Sequence, residues 1–511
     1  MRRNILIELT TAEAVVTAAQ DETKKLGDSE MRVSDPAADT YRKRRIAHWN
    51  RVSSYKNNPK RVGAFYHALL KKYYRFLVPE GQRVLELGCG HGHLLAAIKP
   101  SQGVGIDFSA EMISVASKLY PDLCFIVSDV HDVSLRHQFD VVILSDLVND
   151  LWDLQTVLEN IRQYCHPGTR IIINYYNNLW RMPLSLVKKL GLGAEMLEQN
   201  WFSPHDVTNL LQLTGFEVIR RQAQILLPLK IPVLAEFLNR YLSQFIPFKW
   251  FALTNITIAR LVKINKPPNP RQRPRVSVIV PTRNEAGNIE NIFDRIPQLG
   301  SETELIFVEG HSRDRTYEIL QQAIFRRPGN RCKLLRQTGE GKGDAVRLGF
   351  ENASGDILMI LDADMTVPPE DLPRFCAAIE SGRGEFINGV RLVYPLENQS
   401  MRLFNIMGNK FFSLAFSWLL GQPIKDTLCG TKVLWRSHYE RIAANRQYFG
   451  DFDPFGDFDL LFGAAKLNLK IAEMPIRYRA RRYGHTNIDR WRHGLLLLKM
   501  VVFAAKRLKF I

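Results

Sequence analysis

The sequence predicts two α/β domains in one chain, each built on a mostly parallel sheet. Short apolar segments alternate with helical periodicity over residues 82–174, and the alternation starts again at residue 276. Between the two stretches lies KINKPPNPRQRPR (263–275), whose prolines and basic residues favour an extended linker. A chain of 511 residues is also longer than a single hydrophobic core usually supports.

These observations divide the chain into five segments. Residues 1–40 are polar and lack a sustained period, so we expect a mobile N-terminal segment there. The first domain covers residues 41–262, the linker 263–275 and the second domain 276–490. Residues 491–511 are predicted to form a basic and apolar C-terminal helix.

The composition limits the partners. The net charge is +17, which favours an anionic partner such as nucleotide phosphates or an acidic membrane surface. We see no nucleic-acid-binding motif and expect no nucleic-acid partner. Six scattered cysteines without a CxxC pair indicate reduced thiols, and no apolar run approaches the roughly 18 residues that span a bilayer. We therefore expect a cytoplasmic protein.

A peripheral contact with the inner face of the plasma membrane is left open. The basic residues among apolar ones in 491–511, and the apolar segment 401–420, favour such a contact, with packing in the core as the alternative. Residues 225–250 are also unusually apolar and interrupted by prolines. They are interpreted as a helical hairpin lining the acceptor pocket, with plain packing in the core or a lipid-facing or interdomain surface left open.

A glycine-rich turn follows the first predicted strand, in the segment VLELGCGHG (84–92). Glycine has no Cβ, so the backbone of such a turn can approach a ligand closely and aim amide groups at it. Acidic residues stand before this turn, at Glu86, and at the ends of the next two strands, at Asp107 and Asp129. Because the carboxyl ends of parallel strands meet at one edge of the sheet, we expect these groups to line one crevice.

This order of glycines and acids resembles class I S-adenosylmethionine-dependent methyltransferases, over about residues 45–260. The resemblance implies a Rossmann-like sheet in which Asp107 accepts hydrogen bonds from ribose hydroxyls and Asp129 contacts adenine. The residues that it implies for binding the cofactor S-adenosylmethionine are Glu86, Gly88, Gly90, Gly92, Asp107 and Asp129. A dinucleotide-binding or degenerate Rossmann domain is the alternative, although no arginine suited to clamping a phosphate follows the second strand.

Candidates for orienting or deprotonating a methyl acceptor follow the first and fourth strands. They are His91, His93, Asp146, Asn149 and Asp150. Each residue serves equally well as a helix cap or an ordinary loop residue, so the sequence leaves their role open.

The second half carries four motifs in a fixed order: VSVIVPTRNE (276–285), LIFVEGHSRDRT (305–316), GKG (341–343) and ILMILDAD (357–364). The last motif is an apolar strand ending in two carboxylates, Asp362 and Asp364. Hard oxygen ligands one residue apart suit a Mg²⁺ or Mn²⁺ ion that bridges a nucleotide diphosphate. The series resembles family 2 glycosyltransferases of the dolichol- and polyprenyl-phosphate mannosyltransferase kind, which implies a GT-A nucleotide-diphospho-sugar transferase fold.

The same resemblance implies roles for particular residues. The residues implied in nucleotide-sugar binding are Pro281, Asn284, Glu285, Glu309, Asp314, Lys342, Asp362 and Arg391, and the metal ligands are Asp362 and Asp364. Segments 426–432, 455–464 and 472–487 resemble later parts of the same family, and the catalytic residues that they imply are Asp457, Asp459, Arg481 and Arg482. The acids would deprotonate a hydroxyl acceptor, whereas the arginines would bind phosphate. Gly310 replaces an aspartate of the family pattern, which leaves the donor base open.

We therefore predict a bifunctional transferase. One half carries out metal-dependent, inverting transfer of a hexose from a nucleotide sugar to a polyprenyl phosphate or membrane-linked glycan, and the other methylates in the same pathway. Two alternatives stay open. One is a soluble glycosyltransferase acting on a saccharide or small molecule, with methyl tailoring of the product. The other is a module that binds S-adenosylmethionine without turnover and regulates the glycosyltransferase.

Overall fold

The computed structural model describes residues 36–53, 63–189, 197–262, 273–391, 403–448, 458–476, 479, 481, 483 and 490–510. The chain divides into two compact units, residues 1–262 and 263–511. All six cysteines lie in the described ranges and are free thiols, as the sequence predicts.

The elements of the first unit are α1 (Pro36–Ser53), α2 (Ala64–Leu77), β1 (Arg83–Leu87), α3 (His93–Ala97), β2 (Gln102–Asp107), α4 (Ala110–Leu119), β3 (Cys124–Val127), β4 (Phe139–Ser145), α5 (Leu154–Ile161), β5 (Cys165–Tyr176), α6 (Arg181–Lys189), α7 (Pro204–Leu213), β6 (Phe216–Gln224), α8 (Leu234–Arg240) and β7 (Thr254–Leu261). The described strands form one sheet in the order β3-β2-β1-β4-β5-β7-β6. Strands β3, β2, β1, β4 and β5 are mutually parallel, and β7 is antiparallel to both β5 and β6.

Strand β1 lies in the interior of this sheet, and its apolar residues Val84, Leu85 and Leu87 are all buried. The strand order reverses between β1 and β4. In parallel sheets the connections after two such strands leave in opposite directions, so a crevice opens at the carboxyl edge. The glycine turn after β1 therefore lies where the fold provides a ligand site.

The elements of the second unit are β8 (Val276–Thr282), α9 (Ile289–Arg295), β9 (Thr303–Glu309), α10 (Thr316–Phe325), β10 (Arg331–Arg336), α11 (Gly341–Glu351), β11 (Ile357–Ile360), α12 (Leu372–Glu380), β12 (Phe386–Val390), α13 (Leu403–Leu420), β13 (Lys432–Trp435), α14 (Arg436–Ala444), α15 (Phe458–Lys466), β14 (Ile471–Pro475) and α16 (Arg490–Leu508). The described strands form a second sheet in the order β10-β9-β8-β11-β13-β12-β14. Only β13 runs antiparallel to its neighbours among these described strands.

One continuous apolar core covers the strands β8, β9 and β11, and it includes Val278, Phe307 and Met359. The three strands are parallel neighbours, so their carboxyl ends lie at the same edge. That edge carries the predicted motifs 281–285, 309–316 and 362–364.

The α/β class and the two mostly parallel sheets are confirmed. Helix α1 begins at Pro36, inside the range 1–40 that was predicted to be mobile, and residues 1–35 lie outside the described ranges. The buried residues of α1 are all polar (Arg45, His48 and Ser53), so apolar periodicity could not reveal its start. The predicted hairpin at 225–250 is wrong in detail: the structure forms one short helix, α8, followed by tight helical turns.

Candidate functional sites

The glycine turn of the first unit has a backbone that only glycine adopts easily. Gly88, Gly90 and Gly92 have φ angles of 71°, 53° and 70°, all in the left-handed region. A Cβ on Gly92 would lie 2.5 Å from Cζ of Phe125. The turn therefore excludes side chains, and it leaves a narrow backbone cradle at the carboxyl edge, where a ligand can approach closely. This cradle fits the predicted cofactor.

The predicted acids lie around the cradle. Glu86 is buried within β1. Asp107 accepts hydrogen bonds from the backbone N–H of Gly90 (2.9 Å to Oδ2) and of Ser109 (2.9 Å to Oδ1). Each carboxylate oxygen can accept more than one bond, so Asp107 still has capacity for a ribose hydroxyl. The glycine turn and Asp107 thus form one hydrogen-bonded unit.

Asp129 already has partners on both of its oxygens. His131 contacts Oδ1 through its backbone N–H (2.9 Å) and Nδ1 (2.6 Å), and Nε of Arg42 lies 2.8 Å from Oδ2. Burial alone would raise the pKa of Asp129, but the bonds from His131 and the charge of Arg42 outweigh it and lower the pKa. The predicted adenine contact would therefore compete with Arg42.

Helix α1 lies over the loops that follow several strands. The Asn50 side chain accepts a hydrogen bond from Ser109 Oγ (2.6 Å), Ser53 Oγ lies 3.0 Å from Nε2 of His91, and Trp49 Nε1 donates to Asp150 (2.7 Å). Together with Arg42, these contacts place α1 across the edge where the cradle lies. The position of α1 over this edge could not be predicted from the sequence, because its contacts are polar and join residues far apart in the chain.

A polar cluster surrounds Asp146, which follows β4. Tyr66 and Asn174 donate hydrogen bonds to Oδ1 of Asp146 (2.7 and 2.6 Å), and Asn174 accepts one from Tyr74 (2.7 Å). Burial, with the nearby charge of Asp146, raises the pKa of Tyr66 well above its usual value, so Tyr66 stays a hydrogen-bond donor. Among the acceptor-site candidates, Asp146 thus accepts hydrogen bonds from two side chains of distant segments, Tyr66 and Asn174. Neither partner could be predicted from the sequence around Asp146.

The other acceptor-site candidates have structural partners. His93 Nδ1 lies 2.8 Å from the Tyr120 hydroxyl, and Asn149 bonds to backbone groups of Tyr176 and Asn200. Asp150 accepts from Trp49. These bonds join loops of the first unit to one another, which favours the interpretation of the three as loop-bracing residues.

The two carboxylates after β11 each contact a cation of the chain. Nζ of Lys342 lies 2.6 Å from Oδ1 of Asp362, and Nη2 of Arg481 lies 2.8 Å from Oδ2 of Asp364. Burial would raise the pKa of Asp362, but the charge and hydrogen bond of Lys342 outweigh it and keep the pKa low. A Cβ on Gly430 would overlap both Asp362 and Lys342, so the segment 426–432 closes directly over this pair.

The donor set fits a hard divalent cation. Asp362 and Asp364 supply carboxylate oxygens, and the lowered pKa of Asp362 keeps that side chain ionised. Within the described part of the chain, no group of three or more His, Cys, Asp or Glu side chains suits a metal ion. A pair of carboxylates is nevertheless a common protein contribution to a Mg²⁺ site, because substrate phosphates and water complete the octahedron.

Glu285, predicted to bind the nucleotide sugar, lies beside this pair. Nη1 of Arg481 is 3.4 Å from Oε1 of Glu285, and Asn288 donates a 2.7 Å hydrogen bond to Oε2. Burial raises the pKa of Glu285 to about 7; Arg481 and Asn288 oppose this, and Asp364 adds to it. Arg481 therefore joins the loop after β8 to the loop after β11.

Hydrogen bonds connect the loops after β8 and β9 and also stabilise the loop after β9. Glu309 accepts from the N–H of Ser312 (2.5 Å), and the Ser312 hydroxyl accepts from the N–H of Asn284 (3.0 Å). Asp314 accepts from the N–H of Ala286 at 3.4 Å. Pro281 lies in β8, beside Val308 of β9. The predicted residues of both motifs thus lie together at one edge of the sheet.

Arg391 has a different environment from the one predicted. Its guanidinium forms two hydrogen bonds with the buried carboxylate of Asp426, from Nε (2.7 Å) and Nη2 (2.8 Å), and its backbone N–H adds a third. A guanidinium engaged in this way cannot present the same edge to a phosphate. These bonds brace the segment 426–432, and the charge of Arg391 also helps to lower the pKa of Asp362. The contact between Arg391 and the donor stays a prediction.

Asp459, one of the predicted acids of the 455–464 segment, has a structural partner in the described part of the chain. Asp459 is buried in α15 and forms an ion pair with Arg446 (3.1 Å). A buried, paired carboxylate is poorly placed to take a proton from an acceptor, so the general-base prediction for Asp459 gains no support. Asp457 and Arg482 lie outside the described residues.

Comparisons with known proteins find a match in each of the two units. Residues 55–221 match the family model described as methyltransferase domain, and residues 277–443 match glycosyl transferase family 2. The two matches fall within the two predicted domains, so the resemblance to a methyltransferase domain and to a family 2 glycosyltransferase domain is confirmed. A solved S-adenosylmethionine-dependent methyltransferase from Mesorhizobium loti is 20% identical, covering 37% of this chain and 96% of that one, with a TM-score of 0.30.

Curated relatives match part of the chain. A dolichol-phosphate mannosyltransferase from Pyrococcus furiosus is 41% identical over 111 residues, 21% of this chain and 31% of the relative. An undecaprenyl-phosphate 4-deoxy-4-formamido-L-arabinose transferase from Edwardsiella ictaluri is 35% identical over 112 residues, 21% of this chain and 34% of the relative. The chain thus spans about a third of the length of these relatives.

Proposed function

We propose that the second unit transfers a sugar from a nucleotide sugar to a polyprenyl phosphate. The observation that carries the proposal is the arrangement of Arg481 and Lys342 at the paired carboxylates Asp364 and Asp362, with Glu285 beside them. Cationic groups gathered at a carboxylate pair suit a diphosphate that arrives with a divalent cation. Similarity to a dolichol-phosphate mannosyltransferase and to an undecaprenyl-phosphate 4-deoxy-4-formamido-L-arabinose transferase supports the choice of acceptor.

The reaction is a single displacement. A phosphate oxygen of the acceptor forms a bond to the anomeric carbon of the sugar, and the bond from that carbon to the donor diphosphate breaks. The electron pair leaves with the nucleoside diphosphate, and the anomeric configuration inverts. A polyprenyl phosphate is already anionic, so no general base is required, consistent with the pairing of Asp459 to Arg446.

The residues of the chain supply alignment and charge. Lys342 and Arg481 would bind phosphate oxygens of the donor, and Asp362 and Asp364 would hold Mg²⁺ or Mn²⁺. When bound, the ion would neutralise charge on the diphosphate leaving group. Glu285 and Glu309 would face the nucleoside end, where a carboxylate accepts hydrogen bonds from a base or ribose. A hexose is the proposed sugar.

We propose that the first unit binds S-adenosylmethionine along the glycine cradle and Asp107, and transfers a methyl group in the same pathway. Asp146, with Tyr66 and Asn174 bonded to it, would orient the acceptor hydroxyl. Positioning two reactants supplies much of the rate of such a transfer. Calorimetric titration with S-adenosylmethionine tests this proposal, and Gly92→Ala should weaken the binding. Gly329→Ala is the control, because a Cβ at Gly329 meets nothing within 4 Å.

A peripheral membrane contact is proposed for the second unit. Helices α13 and α16 pack against each other. The Trp418 ring of α13 lies tilted against the Phe510 ring just beyond α16, with centroids 6.0 Å apart, and Lys509 lies over the Trp418 ring. Apolar side chains of both helices stay exposed, and these are Phe411, Leu414, Leu495, Leu498 and Val502. In the part of the chain that the structure describes, no helix is both long and apolar enough to cross a bilayer.

The first experiment is nucleotide release from a panel of UDP- and GDP-sugars with Mn²⁺, with and without a polyprenyl phosphate. The proposal expects release that requires the lipid and is lost in Asp364→Ala. Asp294→Ala is the matched control, because Asp294 lies exposed on α9. Release that ignores the lipid would favour a saccharide acceptor. If S-adenosylmethionine changes the rate of nucleotide release and no methylated product forms, the result would favour a regulatory role for the first unit.

A further inference from the structure

An exposed apolar surface covers one side of the first unit. We define the apolar face as the exposed side chains of segments 179–186 and 229–251. Of the 26 large hydrophobic side chains that are exposed in the described residues, 14 lie on this face. Soluble monomers rarely expose contiguous apolar patches larger than a few hundred Å². The concentration of such side chains in two short segments therefore requires a partner.

The segment 229–251 buries the uncharged polar residues Asn239, Ser243 and Gln244 and exposes most of its large apolar side chains. Asn239 is 3% exposed and clamps both backbone groups of Leu227 (2.8 Å each), and Gln244 donates to Gln224 in β6 (3.0 Å). In contrast, Val233 is 84% and Ile246 62% exposed. These buried hydrogen bonds fix the orientation of the segment. The exposure of its apolar side chains is therefore a consequence of the fold.

The two segments form one surface. The Asn177 side chain donates to the carbonyl of Trp250 (2.8 Å), and the Trp180 indole donates to the carbonyl of Phe251 (2.8 Å). These segments follow β5 and β6 and precede β7, so they emerge at the carboxyl edge of the sheet. Thr254, just beyond the face, donates to the Tyr66 hydroxyl (3.1 Å), which in turn bonds to Asp146. The face thus borders the proposed methyl-acceptor site.

The charges that accompany the face are positive. Segments 177–189 and 225–251 contain six basic residues and one acid, Glu236, which pairs with Arg240 at 3.0 Å. A second copy of the same face would bring like charges together, whereas an anionic bilayer would attract them. Tyr241 and Trp250 add rings with a polar end, which suit the boundary between headgroups and acyl chains.

We propose that the apolar face docks the first unit on an anionic bilayer surface, with the edge that carries Asp146 turned towards the lipid. The methyl acceptor would then be a membrane-borne molecule. This surface lies on the first unit and does not depend on the glycosyl-transfer proposal, so the two can fail separately.

The test is sedimentation of the full chain with vesicles of phosphatidylcholine, with and without phosphatidylglycerol. Replacing three residues of the face (Phe237→Ser, Ile246→Ser and Trp250→Ser) is expected to weaken partition into the anionic vesicles by about tenfold or more. The matched control replaces exposed apolar residues elsewhere, namely Leu119→Ser, Leu213→Ser and Phe325→Ser, and should bind like the wild-type chain. Equal loss in both sets, or in neither, overturns the proposal.

A local probe separates this face from any membrane contact of the second unit. A polarity-sensitive fluorophore on Ile246→Cys, in a background with Cys124→Ser and Cys332→Ser, should shift to the blue on anionic vesicles, whereas the same probe on Leu213→Cys should not. An unshifted Ile246→Cys probe on vesicle-bound protein overturns the proposal. A solution dimer of the wild-type chain that the face variant loses would also overturn it, in favour of a second copy.

Discussion

Arg481 donates a 2.8 Å hydrogen bond to Asp364, although 117 residues separate the two in the sequence. The other terminal nitrogen of the same guanidinium lies 3.4 Å from Glu285. One side chain near the end of the second unit therefore connects the loops after β8 and β11, where the donor diphosphate is proposed to bind. A planar guanidinium suits this position, because it can contact two carboxylates now and phosphate oxygens when the donor is present.

The first prediction concerns this guanidinium. Arg481→Met should lower kcat/KM for nucleotide release by about 100-fold, because a charge that contacts the diphosphate is lost. Arg481→Lys should recover only part of the loss, since a lysine cannot make two parallel contacts. Steady-state release with the donor chosen from the panel measures both. The control Arg374→Met removes a 61%-exposed arginine of the same unit and should be neutral. Wild-type activity in Arg481→Met would refute the phosphate-binding role.

The second prediction follows from the pKa of about 7 at Glu285. Between pH 4.5 and 7, folded Glu285 keeps a proton that the unfolded chain has released, so the folded state loses stability as pH rises through this window. Glu285→Gln should therefore stabilise the second unit at pH 8 relative to the wild type, by about 1–2 kcal/mol once solvent screening is allowed for, and have little effect below pH 4.5.

Denaturant unfolding of the donor-free chain at pH 4.5 and pH 8 checks this prediction. Glu318→Gln, on the exposed side of α10, is the matched control and should show no pH-dependent difference. A stability gain from Glu285→Gln that is the same at both pH values would mean that titration of this carboxyl is not its cause.

The third prediction concerns Gly430. Because a Cβ there would overlap Asp362 and the ammonium of Lys342, Gly430→Ala must displace one of them. We expect donor affinity to fall by about tenfold or more, with the fold retained, since the Lys342–Asp362 contact is lost. Calorimetric binding of the nucleoside diphosphate with Mn²⁺ measures it. Gly329→Ala, where a Cβ meets open space, should bind normally. Unchanged affinity in Gly430→Ala would remove Lys342 and Asp362 from the donor site.

The sequence was sufficient for the parts of the sites that are local. A strand followed by a glycine turn, or by two carboxylates, can be recognised within about ten residues of sequence. Parallel pairing then brings the carboxyl ends of these strands to one edge of the sheet. The strand ends at Asp107 and Asp362 therefore lie where they were predicted. Partners from distant segments were not readable. Nothing near Arg391 in the sequence indicates that Asp426 binds its guanidinium. The buried residues of α1 are likewise polar, so the sequence shows no apolar periodicity that would predict this helix.

The last prediction concerns Arg42, a residue of helix α1 that forms an ion pair with Asp129. If Asp129 accepts a hydrogen bond from adenine, the 2.8 Å contact between Arg42 and Oδ2 must be exchanged when S-adenosylmethionine binds. The Arg42 side chain is 42% exposed, so its removal should disturb the fold little. Arg42→Ala should then tighten cofactor binding by roughly threefold to tenfold, because a surface ion pair no longer competes for the carboxylate.

Calorimetric titration of the full chain with S-adenosylmethionine measures this change. Asp129→Asn should weaken binding in the same assay, and Arg44→Ala, which removes a neighbouring exposed arginine of α1, should leave it unchanged. Tighter binding in Arg42→Ala together with weaker binding in Asp129→Asn would place adenine at Asp129 and make Arg42 its competitor. Weaker binding in Arg42→Ala would instead make Arg42 part of the cofactor site, so that α1 closes over the bound cofactor rather than holding the empty crevice shut.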